Sequence, residues 1–333
     1  MTESVHIIAE AGTNHNGSLH AAKQLINVAI KSKADSVKFQ IIYPEALYLP
    51  QFYRDGKYIE NEVFRQRSKA MLKDQDYLAL SKYCEENEIE FSASVFDEKG
   101  IDLLEKLNPP YFKIASCDLN NSQLLMQVAE RGRKLIVSTG MATLSEIEKA
   151  LSDITKTGNN DIVLMHCVSV YPARTKMSNL TFLETLKQAF GFIVGFSDHT
   201  ESSIASCIAV SKGAQWIEKH LTLNRKAEGF DHAYAMEPEG FESFVRDIRA
   251  AEKACLRPEF KINSDELIVK SRARRALYAA RDIQKGEVLT EADILVVRPE
   301  GPLLPNDVGK IAGHTAKLPI KKYMPLSFGM FYN

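Results

Sequence analysis

Two histidines that suit metal binding each follow a short apolar run. The run 192–194 precedes the segment that contains His199, and the run 214–217 leads through Glu218 to His220. A hydrophobic strand that ends in a histidine delivers the imidazole to the rim of a sheet, where two neighbouring strands can hold one divalent ion. A histidine in this position is equally compatible with a hydrogen-bonded structural role. The spacing therefore leaves a metal site and a structural role open for His199 and His220.

Polar side chains close the other predicted strands as well. They are Glu10, Lys38, Gln40, Ser94, Lys113, Ser116, Ser138, His166, Ser169, Ser197 and Glu218. Two lysines surrounded by hydroxyls suit a small anion with several charges, for example a phosphate that also carries a carboxylate. Glu10 is a candidate acid, base or orienting group, and a bound metal ion can polarise a carbonyl. This combination favours carbon–carbon bond formation between an anionic and a carbonyl substrate, although each residue alone also suits a structural role.

These side chains need a scaffold that gathers strand ends, and the hydrophobic pattern provides one, because strand-like runs alternate with helical periods. The predicted strands span 6–12, 36–40, 89–96, 111–116, 134–140, 162–169, 193–199 and 214–221. Eight such units are typical of an α/β protein with a (β/α)₈ TIM barrel, whose active site lies at the carboxyl ends of the strands. An open doubly wound sheet is the alternative, but the turn at 12–17 lacks its glycine-rich fingerprint.

Three segments depart from the repeating pattern. Residues 41–72 form a long irregular insertion, which we expect either to fold over the active-site face or to be a peripheral loop. Residues 259–272 show no convincing period and are predicted to be a linker after a barrel domain at 1–258. Residues 273–333 contain short strand-like pieces among turn formers, which indicates a small separate domain.

Composition limits the partners of this chain. A formal net charge of −1 over 333 residues gives no bulk attraction to nucleic acid or to a membrane surface. No apolar run approaches the ~20 residues of a membrane-spanning helix, and the first residues lack the features of a signal peptide. The five cysteines are scattered without CxxC spacing, as reduced thiols are. We therefore expect a cytoplasmic protein with neither a nucleic-acid nor a membrane partner.

Motifs along almost the whole chain, in order, resemble the family of sialic acid (N-acetylneuraminate) synthases, which includes the legionaminic and pseudaminic acid synthases. They are IAEAGTNHNG at 8–17, VKFQ at 37–40, KIAS at 113–116, STGM at 138–141, HC at 166–167, YP at 171–172, GFSDH at 195–199, EKH at 218–220 and GFDH at 229–232. The segment 283–299 resembles the antifreeze-like (SAF, β-clip) domain that ends these enzymes. The resemblance implies a TIM barrel followed by a small SAF domain.

The resemblance also implies an activity: condensation of phosphoenolpyruvate with an N-acetylmannosamine-type 2-acetamido-hexose, with release of phosphate. By similarity, His199 and His220 bind Mn²⁺, with Mg²⁺ or Co²⁺ as alternatives, and they act with Glu10 in catalysis. The residues implied to bind phosphoenolpyruvate are Lys38, Lys113, Ser116, Ser138, Ser169 and Ser197. Those implied to bind the sugar are Gln40, Asp118, Tyr171, Asp231 and Arg298. Arg298 is expected to reach the sugar of the partner subunit in a domain-swapped homodimer.

Three departures from the family's pattern affect what can be inferred. Cys117-Asp118 stands where the family often has Gly-Glu, Ser169 replaces a common asparagine, and 300–302 replace Gly-Asn-Gly. The first and third touch the implied sugar side, so the reaction class is better specified than the sugar. The alternatives are a phosphoenolpyruvate-condensing synthase for a different aldose or a sugar phosphate, and a non-catalytic carbohydrate-binding protein. A binding protein has no need of Glu10 together with both lysines and both histidines.

Overall fold

The computed structural model describes residues 4–255 and 261–332, which form two compact units divided between residues 256 and 257. The strands of the first unit are β1 (His6–Gly12), β2 (Ser36–Ile41), β3 (Gln51–Arg54), β4 (Lys57–Glu60), β5 (Glu90–Val95), β6 (Tyr111–Ile114), β7 (Lys134–Ser138), β8 (Ile162–Cys167), β9 (Ile193–Asp198) and β10 (Trp216–His220). All except β3 and β4 are parallel and close into a barrel, in the order β1-β10-β9-β8-β7-β6-β5-β2. The predicted eight-stranded barrel is thus confirmed.

Most helices of the first unit cover the outside of the barrel. The helices of the first unit are α1 (Leu19–Lys31), α2 (Pro44–Leu47), α3 (Glu62–Ala70), α4 (Asp74–Glu86), α5 (Glu98–Lys106), α6 (Ser122–Ala129), α7 (Leu144–Thr155), α8 (Phe182–Phe190), α9 (Ile204–Ser211) and α10 (Pro238–Cys255). In α1 the buried residues are Ala22, Leu25, Ile26 and Ala29, the spacing of one helical face. Capping follows the sequence as well, since Ser18 accepts from the amide of Ala21 at the start of this helix.

The barrel interior changes character along its axis. Because side chains alternate along a strand, every second residue points inward. Its amino-terminal half is filled by Ile8, Tyr111, Ile136, Val163 and Met165. Two residues further along these strands the buried inward positions become polar, as Glu10, Lys113 and Ser138 show. The barrel is therefore a packed apolar plug at one end and a polar cup at the other.

The insertion at 41–72 is more regular than the sequence indicated. It contains α2, an antiparallel hairpin of β3 and β4, and α3, so the expectation of an irregular segment was wrong. Asn61 caps α3 by accepting from the amides of Val63 and Phe64. The guanidinium of Arg67, on α3, donates to Thr13 in the turn after β1 over 2.6 Å. This contact ties the end of the insertion to the carboxyl-terminal face of the barrel.

The second unit has a small core of its own. It contains α11 (Ser264–Ala273), β11 (Ala276–Ala279), β12 (Ile294–Val297) and α12 (Val308–Ile311), with β11 antiparallel to β12. Its core residues are Leu277, Ala279, Ile283, Leu289, Leu303, Ile311, Ala316, Ile320, Leu326 and Phe331. Helix α11 overlaps the segment 259–272, which the sequence predicted to be a linker without assigning a helix, and its capping box of Asn263 and Glu266 was the overlooked signal. The predicted barrel boundary at 258 lies outside the described residues.

In the described part of the chain, none of the helices has the length and the apolar content that crossing a membrane requires.

Candidate active site at the carboxyl ends of the barrel strands

A cavity of about 770 Å³ lies at the carboxyl ends of the barrel strands. The predicted residues that line it are Glu10, Lys38, Gln40, Ser94, Lys113, Ser116, Ser138, Ser169, Tyr171, Ser197, His199, Glu218, His220 and Asp231. Strand register explains the convergence, since Glu10 lies level with Lys38 on one neighbouring strand and with His220 on the other. Residues far apart in sequence thus share one site because their strands end at the same level.

Four buried charges form an alternating acid–base chain, Glu10–Lys38–Glu218–Lys113. The Lys38 ammonium lies 2.6 Å from Glu10 Oε2 and 3.5 Å from Glu218 Oε2. The Lys113 ammonium lies 3.6 Å from Glu218 Oε1. The Ser197 hydroxyl donates to the same oxygen over 2.7 Å. Each cation therefore has an anionic neighbour, as buried charges require.

Burial and neighbouring charges set the protonation of the acid–base chain. Burial raises the pKa of Glu10 to about 7, against the opposing charge of Lys38. Burial would raise the pKa of Glu218 too, but Lys113, Lys38 and the Ser197 hydroxyl together hold it well below its usual range. Burial lowers the pKa of Lys113, whereas Glu10 and Glu218 outweigh burial and raise the pKa of Lys38. Glu218 thus stays ionised while Glu10 can exchange a proton near neutral pH.

Hydroxyl and thiol groups crowd around Gly140 beside the lysines. Ser116 Oγ accepts from the backbone amide of Gly140 over 3.0 Å and lies 3.1 Å from Cys167 Sγ. A Cβ atom at Gly140 would lie 2.4 Å from Ser169 Oγ and 2.7 Å from Cys167 Sγ. Only glycine fits here without displacing these groups. The arrangement places hydroxyl and thiol hydrogen-bond donors on short side chains in the same cavity as two ammonium groups, which suits a compact anion.

The two predicted metal-binding imidazoles are neighbours, with ring centroids 5.5 Å apart and ring planes inclined at 52°. His199 Nδ1 lies 2.8 Å from the carbonyl of Val168 and donates to it, so Nε2 is unprotonated and lies 3.4 Å from the Ser197 hydroxyl oxygen. His220 Nδ1 is buried without a hydrogen-bond partner. Burial lowers the pKa of both rings, to about 4 for His199, and so favours the neutral, ligating form. The pair fits a divalent ion.

Two imidazoles do not make a complete metal cage. Across residues 4–255 and 261–332, no three or more histidine, cysteine, aspartate or glutamate side chains form a group that could hold a metal ion. An ion held by His199 and His220 would therefore keep several positions for water or substrate, as catalytic ions do.

On the side of Glu10 that faces away from its contact with Lys38, three polar groups converge on Gly12 at the end of β1. A Cβ atom there would lie 3.0 Å from Asp231 Oδ2, 3.3 Å from Gln40 Nε2 and 3.3 Å from Glu10 Oε1. Gln40 donates to Glu10 over 3.0 Å, and the Tyr234 hydroxyl donates to Asp231 Oδ1 over 2.7 Å. These carboxylate and amide groups are suited to the hydroxyls of a neutral ligand.

Three predicted or candidate residues lie elsewhere. His166 points out of the barrel, where its Nε2 donates to the carbonyl of Ser178 over 2.7 Å, so its placement at the cavity was wrong. Asp118 does not line the cavity; it accepts from Cys117 Sγ over 3.4 Å, and Cys117 lines the cavity instead. Arg298 lies in the second unit, directly after β12, and its role across a dimer stays a prediction.

Sequence reasoning missed part of the cavity wall. The additional lining residues are Ile42, Leu47, Tyr48, Arg67, Phe96, Ala115, Cys117, Met141, Cys167, Phe230, Ala233 and Tyr234. The alternation of side chains along β8 could have predicted Cys167, because it lies two positions after the inward-pointing Met165. Arg67 and Tyr234 come from an inserted helix and a loop, for which no periodic signal exists.

Comparison with known proteins agrees with this geometry. The model of the NeuB family matches residues 25–259, and that of the SAF domain matches residues 274–331. The N,N'-diacetyllegionaminic acid synthase of Legionella pneumophila is 35% identical over 92% of this chain and 89% of its own. The pseudaminic acid synthase of Helicobacter pylori is 33% identical over 98% of both.

A solved structure shows the same relation. The sialic acid synthetase of Leptospira borgpetersenii, in complex with citrate, is 32% identical, with a TM-score of 0.72 over 80% of this chain and 90% of its own. The predicted TIM barrel with a SAF domain and the predicted synthase family are both confirmed. The chain belongs to the NeuB family of sialic acid synthase-type enzymes, with a SAF domain following its barrel.

Proposed function

We propose that the chain condenses phosphoenolpyruvate with a neutral 2-acetamido-hexose to form a nonulosonic acid and inorganic phosphate. The observation that carries the proposal is the buried pair Lys38 and Lys113, set among hydroxyls at the catalytic end of a TIM barrel. A cup of this kind suits the phosphate and carboxylate of phosphoenolpyruvate. Relatives named for legionaminic and pseudaminic acid synthesis support the same reaction class.

The chemistry needs no nucleophilic side chain. The C3 carbon of phosphoenolpyruvate forms a bond to the aldehyde carbon of the open-chain sugar, whose oxygen takes up a proton. Water adds at C2 and loses a proton, and phosphate leaves. Lys38, Lys113 and the serines hold the anion, so positioning and electrostatic stabilisation supply the rate. Glu10, whose pKa is raised to about 7, is suited to move one of these protons.

The sugar occupies the end of the cavity around Gly12. Gln40, Tyr171 and Asp231 line this end, and Tyr171 lies against His199 with ring centroids 4.2 Å apart. Asp231 Oδ2 is buried and has no hydrogen-bond partner, so it can accept from a ligand hydroxyl. His199 and His220 would hold a divalent ion, Mn²⁺ in our proposal, which supplies Lewis-acid polarisation of the aldehyde when bound.

Release of phosphate from phosphoenolpyruvate, measured against a panel of hexosamines, tests this function. The panel contains N-acetylmannosamine, its 6-phosphate and 2,4-diacetamido-6-deoxyhexoses, each with and without Mn²⁺. We expect turnover with a neutral 2-acetamido sugar that chelation abolishes and Mn²⁺ restores. Turnover with only the phosphorylated sugar would favour the sugar-phosphate alternative, and sugar binding without turnover would favour a carbohydrate-binding protein.

The metal assignment has its own control. His199→Ala and His220→Ala should each abolish turnover while thermal unfolding curves keep the shape of the wild-type curve. His166 serves as the matched control, because it is buried at the end of the same barrel but bonds only outside the cavity. His166→Gln should keep metal-dependent turnover. An active double variant of His199 and His220 would refute the metal site.

We further propose that the active form is a cytoplasmic homodimer in which the SAF domain of one subunit completes the site of the other. Arg298 is exposed, and all five cysteines are free, which supports a reducing compartment. Mixing inactive Arg298→Ala with inactive His199→Ala should restore about a quarter of wild-type activity, since half of the dimers are mixed and each has one intact site. No recovery on mixing would refute the swapped arrangement.

A further inference from the structure

Two motif residues have no part in the proposed reaction although they lie beside the site. Asn16 belongs to the turn after β1, and His232 belongs to the loop 221–237 after β10. Neither lines the cavity, yet the same loop contributes Asp231 and Tyr234 to the cavity wall. The contacts that hold this loop against the turn therefore determine the position of the Asp231 carboxylate.

A continuous set of hydrogen bonds joins the turn to the loop. Asn16 Nδ2 donates to the carbonyl of Glu228 over 2.8 Å and to His232 Nε2 over 3.2 Å. Because an amide nitrogen only donates, His232 Nε2 is the acceptor and Nδ1 carries the proton. His232 Nδ1 then donates to Thr222 Oγ1 over 2.7 Å, and this hydroxyl donates to the carbonyl of Asn224. One tautomer of the ring satisfies all of these partners.

The backbone of Gly229 closes the same contact. At its φ of +151°, a Cβ atom would lie 2.6 Å from His232 Cδ2 and 3.0 Å from Asn16 Oδ1. The backbone at Gly229 therefore packs directly against the His232 imidazole and the Asn16 amide. The next residue, Phe230, packs under the Arg67 guanidinium, which lies 3.8 Å from the ring centroid. The loop is thus held by Gly229 and Phe230 immediately before Asp231 and by His232 immediately after it.

We infer that Asn16 and His232 are positioning residues, which lock the loop 221–237 so that Asp231 Oδ2 stays aimed into the sugar end of the cavity. Tyr234 fixes the other oxygen of this carboxylate, and Oδ2 is left buried without a partner. The identity of the ligand as a sugar rests on the proposed function. The lock itself is a property of the chain and can be measured without any substrate.

Asn16→Gly is the sharpest test, because Asn16 has a φ of +48° that glycine adopts without strain. We expect the KM for the sugar to rise about fivefold, as for the loss of one net hydrogen bond. The KM for phosphoenolpyruvate should stay within twofold, and the amides of residues 223–237 should exchange hydrogen faster. Asn108→Gly is the matched control, since Asn108 has a φ of +52° and accepts from Arg133 far from the cavity. It should change none of the three.

His232 supplies a second variant. His232→Gln retains one acceptor and one donor and should keep more of the sugar affinity than His232→Ala, which a purely structural role would not predict. Unchanged exchange over 223–237 in Asn16→Gly and His232→Ala would overturn the lock, and so would an equal rise of both KM values. If the unmodified enzyme turns over no hexosamine, the proposed function fails, while the exchange measurement still decides whether the lock exists.

Discussion

Replacing Lys113 by methionine removes an ammonium group from the anion end of the cavity and keeps an unbranched side chain. Lys113 is buried, and its charged neighbour is Glu218, 3.6 Å away. Two unit charges about 4 Å apart interact by about 4 kcal/mol at the effective dielectric constant of about 20 that suits proteins. A charged hydrogen bond contributes a net ~1.5–3 kcal/mol.

The expected loss lies at the upper end of that range. Without Lys113, the Glu218 carboxylate keeps Lys38 and Ser197 as partners, has lost one of its two lysines, and faces the incoming anion. We therefore expect the KM of Lys113→Met for phosphoenolpyruvate to rise about 100-fold, which corresponds to ~3 kcal/mol. The KM for the sugar should change less than threefold. Lys113→Arg, which keeps the charge, should fall between wild type and Lys113→Met.

Lys219 provides the control for mere destabilisation. It is also a buried lysine, on the same strand as Glu218, but it points out of the barrel and pairs with Asp198 at 3.1 Å. Breaking a buried ion pair costs about 3–5 kcal/mol of stability, so Lys219→Met should unfold at lower urea concentration with an unchanged KM for phosphoenolpyruvate. An unchanged KM in Lys113→Met, or an equal rise in Lys219→Met, would refute the reasoning.

Two glycines and one buried histidine give further tests. Gly140→Ala should raise the KM for phosphoenolpyruvate at least tenfold in the phosphate-release assay, because the new methyl displaces the serine hydroxyls. Gly195→Ala should instead lower the free energy of unfolding by about 1–3 kcal/mol, since its Cβ would lie 2.3 Å from a methionine sulfur in the barrel plug. Burial lowers the pKa of His15 from 6.5 to about 4. The buried neutral ring therefore stabilises the fold fully above pH 6.5. This contribution, about 3 kcal/mol, is lost as the pH falls through 4, because the unfolded chain then binds a proton more readily than the folded one. His15→Gln should flatten that fall in urea unfolding curves, whereas the same change at the exposed His20 should not.

Strand positions were predictable because residue type changes abruptly where a barrel strand ends. The strand predicted over 162–169 ends at Cys167, and the one predicted over 193–199 ends at Asp198. The predicted extra residues, Ser169 and His199, lie just beyond the hydrogen-bonded ladder and still reach the cavity. Polar residues in the sequence therefore predict which residues line the mouth of the barrel better than they predict where the hydrogen-bonded strand ends.

Other features carried weaker signals. Helix α11 was missed because its apolar residues, Leu267, Ile268 and Val269, are consecutive and exposed, so no helical period forms. His166 was misplaced because strand parity was not applied to the pair His166-Cys167. Arg67 and Tyr234 reach the cavity through tertiary contacts of an insertion and a loop, which local patterns do not encode.

Strand β10 carries Glu218, Lys219 and His220 in succession, all of them buried. The outer two face the cup, while the middle one lies near the ring of Phe244 among the surrounding helices. Insertion or deletion of a single residue upstream in this strand would exchange the two sets, placing a lone ammonium in the cup and a carboxylate against an aromatic layer. Single substitutions in this strand therefore change one side chain at a time, whereas a change in its length would move every following side chain to the opposite face.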